Sequence, residues 1–379
     1  LVTANYWAFT LTDGALRMLV LLYFYQLGYS PLQIAMLFLF YEIFGMVTNL
    51  VGGWIGAKIG LNVTMNVGLT LQIVALMMLT VPAEWLGVGY VMVAQALSGI
   101  AKDLNKMSAK SSIKALASDA DGTLYKWVTL LTGSKNALKG VGFFMGAVLL
   151  EWLGFVGAMQ LMSVMLGIAL VISLFWLDGS LGKAKKSSKF SEMFSKSSAI
   201  NWLSGARLFL FGARDVWFVV ALPVYLQSVL DWSHTEVGGF LAFWIIGYGV
   251  IQAMTPQLMR RQGNPTSKTA MKLAWLLAAI PLVMAWQLVS FPELMIVIGL
   301  ILFGIVFALN SAVHSYLIVS IATADGTSKD VGFYYMANAG GRLLGTVLSG
   351  YLYQTAGMEA CLIVSAGFII LSALGVYRA

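Results

Sequence analysis

Long apolar runs alternate with short polar segments along almost the whole chain. Each run is close to the ~20 residues that a helix needs to cross a hydrocarbon core of about 30 Å. Reading the runs between turn residues predicts about twelve spans, at 3–27, 32–56, 63–81, 86–107, 124–150, 155–177, 201–229, 235–258, 270–290, 293–321, 330–353 and 358–377. The pattern therefore predicts an all-α integral membrane protein with twelve transmembrane helices.

One long polar segment interrupts this alternation between the sixth and seventh spans. It reads "DGSLGKAKKSSKFSEMFSKSS" and is rich in lysine and serine. We interpret it as a cytosolic linker over 178–200, which separates an N-terminal six-helix bundle at 1–177 from a C-terminal six-helix bundle at 201–379. A binding tail is the alternative interpretation of the same composition.

The balance of charge supports a membrane setting. Only 10% of the residues are charged, against roughly 25% in a soluble domain, while 59% are hydrophobic. The basic loop residues fall on one side of the predicted spans, at Lys58, Lys110, Lys114, Arg260, Arg261, Lys268, Lys329 and in the linker. The opposite loops carry acidic residues, at Glu84, Glu151, Asp231, Glu236, Glu293 and Glu359. Basic residues favour the cytosolic side. We therefore expect both termini in the cytosol of a bacterial inner membrane, no signal peptide, and no nucleic-acid partner.

The two halves of the chain resemble each other. The triplet Asp121-Gly122-Thr123 precedes the fifth span as Asp325-Gly326-Thr327 precedes the eleventh, and "GIAKDLN" upstream matches "GIVFALN". Asn136 and Asn338 follow at similar spacing. Together these matches predict two six-helix halves related by a pseudo-two-fold axis, as in many secondary transporters.

Several functions are excluded because the chain lacks the residues that they require. The chain has no GxxxxGK[ST] phosphate loop, and its single cysteine, Cys361, excludes a thiolate metal site. We interpret Cys361 as a small core residue of a late helix. We find no catalytic constellation, and therefore expect no enzyme, no metal and no cofactor.

Charged residues inside the membrane are the candidate functional residues. They lie on spans one (Asp13, Arg17), two (Glu42), four (Lys102, Asp103, Lys106), five (Lys135, Lys139), seven (Arg207, Arg214, Asp215), ten (His314) and eleven (Arg342). Spans three, six, nine and twelve carry none of these residues, and neither does span eight; we expect every third helix to face lipid. The charged spans would then line a water-containing interior.

Lys135 and Lys139 need a particular explanation, because they lie four residues apart near the middle of the fifth span. Each deep charge costs roughly 2.5–3.5 kcal/mol, so five deep cations (Arg17, Lys135, Lys139, Arg214 and Arg342) would cost on the order of 12–18 kcal/mol unpaired. Internal pairing, such as Asp13 with Arg17, is one explanation. Three deep carboxylates (Asp13, Glu42 and Asp215) cannot neutralise five cations, however. We therefore predict an anion site formed by the five cations and Asn136, with the carboxylates coupling to protons or pairing with cations.

Two further features of the sequence each have two possible interpretations. Lys102 and Lys106, with Asp103 between them, begin a ladder of lysines at the cytosolic side. They are either membrane anchors or the place where an anionic substrate enters from the cytosol. His314 is either a hydrogen-bonded interior histidine or a proton relay.

The whole chain resembles the major facilitator superfamily. Its signature between spans two and three, G-x-x-x-D-R-x-G, is present in part as "GWIGAKIG", where Gly53, Lys58 and Gly60 match. Ala57 stands in place of the acidic residue, so the helix lock ascribed to that acid is not expected here.

A closer resemblance is to the ArsJ-type organoarsenical efflux permeases. It rests on "NYWAFTLTDGALRMLV", "QLGYSPLQIAMLFLFYE", "AQALSGIAKDLNKMSAKSSIK", "LTGSKNALKGVGFF", "RLFLFGARDVWFVVALPVY" and "WSHTEVGGF". It implies export of 1-arseno-3-phosphoglycerate and a functional link to glyceraldehyde-3-phosphate dehydrogenase, which makes that ester from arsenate. An oxyanion at each end of the cargo agrees with cations on both halves.

The sequence thus predicts a monomeric secondary transporter in the lipid bilayer, which exports a small organoarsenical anion by proton-coupled alternating access and confers arsenate resistance. An exchanger of organophosphates or other organic anions is the alternative. A proton-coupled drug exporter fits less well, because a pocket for cationic drugs needs surplus acid.

Overall fold

The computed structural model describes residues 1–116, 123–177, 197–258, 265–321 and 327–379. Side chains are described there except at 50, 52–58, 110–116, 123–133, 256, 319 and 327–332. Most of the predicted linker and of both Asp-Gly-Thr triplets therefore lies outside the described residues. The side chains of Lys58, Lys110, Lys114, Arg260, Arg261 and Lys329 lie outside them too.

All regular structure in the described ranges is helical. The helices are α1 (Val2–Gln26), α2 (Pro31–Leu37), α3 (Leu39–Ile59), α4 (Leu61–Met78), α5 (Val88–Leu116), α6 (Thr123–Trp176), α7 (Ser198–Phe218), α8 (Ala221–Ser228), α9 (His234–Leu258), α10 (Ser267–Gln287), α11 (Pro292–Ile321) and α12 (Thr327–Tyr377). A short 3-10 turn, Ala83–Trp85, precedes α5.

Nine helical stretches in the described part of the chain are long and apolar enough to cross a membrane. Two of them, in α6 and α12, measure 43 and 45 residues, about twice the length that one crossing needs. Each bends at a glycine with positive φ, Gly154 (φ 67°) and Gly357 (φ 77°), a conformation that glycine adopts without steric cost. These glycines lie where the sequence predicts loops between spans. The number of twelve crossings itself stays a prediction.

The predicted seventh span is divided into α7 and α8. Pro223 lies in the first turn of α8, and a proline has no backbone N–H to continue the hydrogen bonds of the preceding helix. The hydroxyl oxygen of Ser349 accepts hydrogen bonds from the backbone N–H groups of Val220 (3.3 Å) and Ala221 (3.0 Å). A side chain thus satisfies backbone donors that have no water to bind.

The chain forms two compact units. Unit 1 comprises residues 1–27, 40–189 and 234–245, and unit 2 comprises 28–39, 190–233 and 246–379. These units follow the order of the chain except for the two short segments 28–39 and 234–245. The predicted bundle boundaries at 177 and 201 stay a prediction.

The segment of unit 2 that contains α2 packs on α12. The helix begins at a capping box formed by Ser30 and Gln33. The backbone N–H of Leu32 donates to the side-chain oxygen of Gln354 at 3.2 Å. Gly350 lets the two helices approach closely, since a Cβ there would lie 2.5 Å from the carbonyl oxygen of Pro31.

In unit 1, α1 crosses α6 at glycines of α6. A Cβ added to Gly142 would overlap the carbonyl oxygen of Leu11, and one added to Gly146 would lie 2.5 Å from that of Ala15. Small residues at such crossings let two backbones touch, which is how membrane helices gain packing energy in lipid.

In unit 2, α7 crosses α12 in the same manner. A Cβ added to Gly341 would overlap the carbonyl oxygen of Leu208, and one added to Gly345 would lie 2.7 Å from that of Gly212. Leu11 and Ala15 in one crossing therefore correspond to Leu208 and Gly212 in the other.

This correspondence sets the register between the two halves. On α1 and α7 it relates positions 197 residues apart, so Arg17 corresponds to Arg214. On α6 and α12 it relates positions 199 residues apart, so Lys139 corresponds to Asn338 and not to Arg342. Arg342 lies four residues, or about 6 Å, beyond the position that matches Lys139. The sequence comparison matched Asn136 with Asn338 from spacing alone, whereas the helix crossings match Lys139 with Asn338.

The predicted sixth span has an exposed apolar face, as expected for a charge-free helix that faces lipid. Val164, Ile168, Val171 and Leu174 repeat at helical spacing and are all more than half exposed. Cys361 is buried, as predicted for a core residue of a late helix.

Candidate functional site

Arg17 and Glu42 form a buried ion pair in unit 1. The Nη2 atom of Arg17 on α1 lies 3.0 Å from Oε1 of Glu42 on α3, and both side chains are less than a tenth exposed. The sequence suggested Asp13 as the partner of Arg17, because the two are four residues apart on one helix. Tertiary packing brings Glu42 to this guanidinium from 25 residues away.

Tyr41 connects this ion pair to two other charged residues. Its hydroxyl donates to Oδ1 of Asp13 at 2.7 Å. Its ring centroid lies 4.0 Å from Nζ of Lys102 on α5 and 5.4 Å from Cζ of Arg17. A cation over an aromatic face is attracted by the ring quadrupole. Sequence reasoning missed Tyr41, although its position just before Glu42 was visible.

Asp103 is the centre of a second charged group in unit 1. It is fully buried and lies 3.0 Å from Nζ of Lys106 and 3.7 Å from Nζ of Lys102. Lys106 also donates to Oδ1 of Asn49 on α3 at 2.9 Å. The three residues predicted at the place of substrate entry are thus together, and one carboxylate serves both lysines.

Lys135, Asn136 and Lys139 lie on α6 and are half-buried. Nζ of Lys139 lies 5.5 Å from the ring centroid of Phe143, one turn along the helix. Lys135 lies within electrostatic range of Asp103. The two lysines of the predicted anion site therefore share unit 1 with Arg17, Asp13 and Glu42.

In unit 2, Asp215 serves two arginines. Oδ1 of Asp215 lies 2.6 Å from Arg214, its neighbour on α7, and Oδ2 lies 3.4 Å from Nε of Arg342 on α12. The carboxylate is almost completely buried, whereas both guanidinium groups are partly exposed. From the sequence we expected one neighbouring cation to pair with Asp215, and the structure shows two.

Arg207 is a deep cation that the predicted site did not include. Its Nε donates to Oδ1 of Asn338 at 2.9 Å, and its Nη1 donates to the backbone oxygen of Ser311 at 3.0 Å. Only 4% of the residue is exposed. No described carboxylate lies within 4.0 Å of it. Its position two turns before Arg214 on the same helix face was a signal readable from the sequence.

His314 is completely buried on α11, one turn beyond Ser311. Neither ring nitrogen has a hydrogen-bond partner among the described residues. The expectation of a hydrogen-bonded interior histidine is therefore not met here.

The deep charges in the described residues sum to a positive value. Apart from the group of Lys102, Asp103 and Lys106, six cations (Arg17, Lys135, Lys139, Arg207, Arg214 and Arg342) accompany three carboxylates (Asp13, Glu42 and Asp215). The excess of three positive charges is distributed over both units. Such groups suit binding of an anion, because charge-assisted hydrogen bonds to oxyanions are strong in a low-dielectric interior.

Comparison with solved structures finds the same fold in transporters. A POT family transporter in complex with 5-aminolevulinic acid has a TM-score of 0.80 at 13% identity, covering 98% of this chain and 93% of that one. A variant of the nucleoside transporter NupG has a TM-score of 0.76 at 14% identity, covering 99% and 98%. The peptide transporter POT in complex with sulfate has a TM-score of 0.77 at 14% identity, covering 99% and 92%.

Comparison with curated proteins finds no match. The family model of the Major Facilitator Superfamily matches residues 2–313, which is most of the chain. Transporter neighbours and family together indicate an integral membrane transporter and not an enzyme. The chain belongs to the major facilitator superfamily of secondary transporters.

Proposed function

We propose that this secondary transporter exports a small organic anion with an oxyanion at each end, 1-arseno-3-phosphoglycerate, from the bacterial cytosol. Export of this ester would confer arsenate resistance in cells whose glyceraldehyde-3-phosphate dehydrogenase makes it. The substrate would enter from the cytosol near Lys102, Asp103 and Lys106 and leave through alternating access.

The observation that carries this proposal is the excess of deep positive charge. Three surplus cations would cost about 8–10 kcal/mol on the insertion scale if nothing compensated them. A dianionic substrate offsets this cost when it binds, which gives these cations a role in substrate binding. A carrier of cationic drugs would need the opposite excess.

The buried carboxylates suggest how binding couples to energy. Glu42 pairs with Arg17, and Asp215 contacts both Arg214 and Arg342, whose charge it balances only in part. An incoming oxyanion competes with each carboxylate for its arginine, and a carboxylate that loses its cation can bind a proton in its place. We therefore propose that at least one of Asp13, Glu42 and Asp215 exchanges a proton for substrate.

The chemistry of the cargo agrees with the residues available. Pentavalent arsenic in an ester presents oxygen atoms, which guanidinium and ammonium groups bind well. The resemblance to organoarsenical permeases in several stretches of both halves adds the identity of the cargo to this electrostatic argument.

Uptake into inverted membrane vesicles tests the proposal. Vesicles with this chain should accumulate arsenic when glyceraldehyde-3-phosphate dehydrogenase, its substrates and arsenate are supplied outside. Accumulation should fall when the pH gradient is dissipated. Vesicles with Arg378→Ala, which lacks an exposed arginine at the end of the chain, should match the wild type.

Two results would contradict the proposal. Equal uptake of arsenite, or of arsenate without the dehydrogenase, would exclude the ester as the cargo. Uptake of 3-phosphoglycerate in exchange for an internal anion, indifferent to the pH gradient, would favour the organophosphate exchanger.

A further inference from the structure

Four helices of unit 2 converge on Arg207. The group, which we name the Arg207 centre, consists of Arg207 (α7), Tyr248 and Gln252 (α9), Ser311 (α11) and Asn338 (α12). All five residues lie within unit 2. The centre is distinct from the carboxylate of Asp215, which serves Arg214 and Arg342.

Several donors of the Arg207 centre meet at one hydroxyl oxygen. Three donors approach the hydroxyl oxygen of Ser311, namely Nη1 of Arg207 at 3.2 Å, Nε2 of Gln252 at 3.3 Å and the hydroxyl of Tyr248 at 3.4 Å. All three distances are at the long end for hydrogen bonds. One hydroxyl oxygen has only two lone pairs, so Arg207 shares this acceptor with two other side chains.

The charge of Arg207 has no carboxylate to balance it among the described residues. Arg207 contacts the amide oxygen of Asn338, two oxygens of Ser311, and the rings of Phe211 and Tyr334. All of these are neutral. An uncompensated buried charge costs several kcal/mol, and an ionisable residue inside the membrane is a candidate functional residue by default.

Buried His314 lies on α11, one turn beyond Ser311 of the Arg207 centre. Both of its ring nitrogens are without partners in the described residues, and it lies within electrostatic range of Arg207. Buried polar atoms are normally hydrogen-bonded, so this imidazole has hydrogen-bonding capacity that the described residues do not use. Asn338 and Gln252 are only half-buried, which leaves the edge of the centre accessible.

Phe211 links the Arg207 centre to Arg214. The ring centroid of Phe211 lies 4.0 Å from Cζ of Arg207 and 5.0 Å from Cζ of Arg214. The two guanidinium carbons are therefore at most 9.0 Å apart, the sum of these distances. This separation suits a short molecule with an anionic group at each end.

We propose that the Arg207 centre is a second oxyanion site, which binds one anionic end of a three-carbon substrate while Arg214 and Arg342 bind the other. The inference rests on the proposed function for the identity of the cargo, and not for the presence of the site. A substrate with two anionic ends should then bind more tightly than inorganic phosphate, and Arg207 should be the source of the difference.

Calorimetric titration of the purified full chain tests this in a nonionic detergent at constant ionic strength. The probes are 3-phosphoglycerate, with a carboxylate and a phosphate, and inorganic phosphate. The wild type should prefer 3-phosphoglycerate by roughly ten- to a hundredfold, the range of one charge-assisted contact. Arg207→Gln should abolish this preference and leave the affinity for phosphate almost unchanged.

Ser311→Asp keeps the test valid if Arg207→Gln fails to fold. It places a carboxylate beside Nη1 of Arg207, in the position proposed for the anion, so it should keep or raise the melting temperature and abolish the preference. Ser311→Ala, the matched control, should retain the preference. Arg378→Gln should behave as the wild type.

An unchanged preference in both Arg207→Gln and Ser311→Asp would overturn the inference. So would a wild type that binds neither probe. Competition by phosphatidylglycerol in nanodiscs would assign the site to a lipid headgroup and also overturn it. An Arg207-dependent preference combined with no arsenic uptake by vesicles would reject the proposed cargo and keep the site.

Discussion

Arg17 on α1 and Arg214 on α7 occupy equivalent positions in two helix crossings of the same kind. Each lies two residues beyond a small residue, Ala15 or Gly212, whose carbonyl oxygen touches a glycine of the crossing helix. Each guanidinium is also within 3.0 Å of a buried carboxylate, Glu42 in one unit and Asp215 in the other. The carboxylates come from different places in the chain, so the two halves repeat the cation and its setting but not the origin of its partner.

Replacing Glu42 should destabilise the protein through Arg17. Glu42→Gln removes the negative charge 3.0 Å from a buried guanidinium, which costs about 3–5 kcal/mol. The double variant Arg17→Met with Glu42→Gln should recover most of this loss, because it removes both charges. Thermal unfolding in detergent measures the effect. A single variant as stable as the wild type would show that Arg17 does not depend on Glu42.

Arg342 should matter for binding more than for stability. Its Nε is 3.4 Å from Asp215, which keeps the closer Arg214 when Arg342 is removed. Arg342→Ala should therefore lower the affinity for 3-phosphoglycerate roughly ten- to a hundredfold, with a loss of stability below about 1 kcal/mol. Arg378→Ala, the loss of an exposed arginine, is the control for net charge. A large drop in melting temperature with normal affinity would identify Arg342 as structural.

The two lysines around Asp103 should show strong non-additivity. Lys102→Met or Lys106→Met alone leaves the buried carboxylate one cation, so each should cost at most about 1 kcal/mol. The double variant leaves Asp103 unpaired and should cost about 3–5 kcal/mol. Adding Asp103→Asn should restore stability. Thermal unfolding of the four variants measures the coupling, and simple additivity would contradict it.

The helix crossing in unit 2 should not tolerate a side chain. In Gly341→Ala the new Cβ would overlap the backbone carbonyl of Leu208, which cannot move aside as a flexible side chain could. We expect a loss of about 1–3 kcal/mol. Gly367→Ala on the same helix meets nothing within 4 Å and should be neutral. Equal melting temperatures for the two variants would mean that α7 and α12 do not touch as described.

The sequence by itself determined the class of the protein and the position of most helices. Hydrocarbon offers no hydrogen bonds to the backbone, so apolar runs of about 20 residues have to be helical wherever they lie. Gly154 and Gly357, for example, bend α6 and α12 near the boundaries that the runs predicted. Charge counting likewise identified an excess of deep cations, because a surplus of charge does not depend on geometry.

Only the tertiary structure decided which charges meet. Asp13 and Arg17 share a helix face in sequence, yet Arg17 pairs with Glu42 and Asp13 accepts from Tyr41. The structure shows that Arg207 contacts the neutral residues Ser311 and Asn338, which the sequence does not indicate. Ion pairs form between side chains that packing brings within about 4 Å, and that packing depends on glycine contacts such as Gly341 with Leu208, which pattern and spacing do not encode.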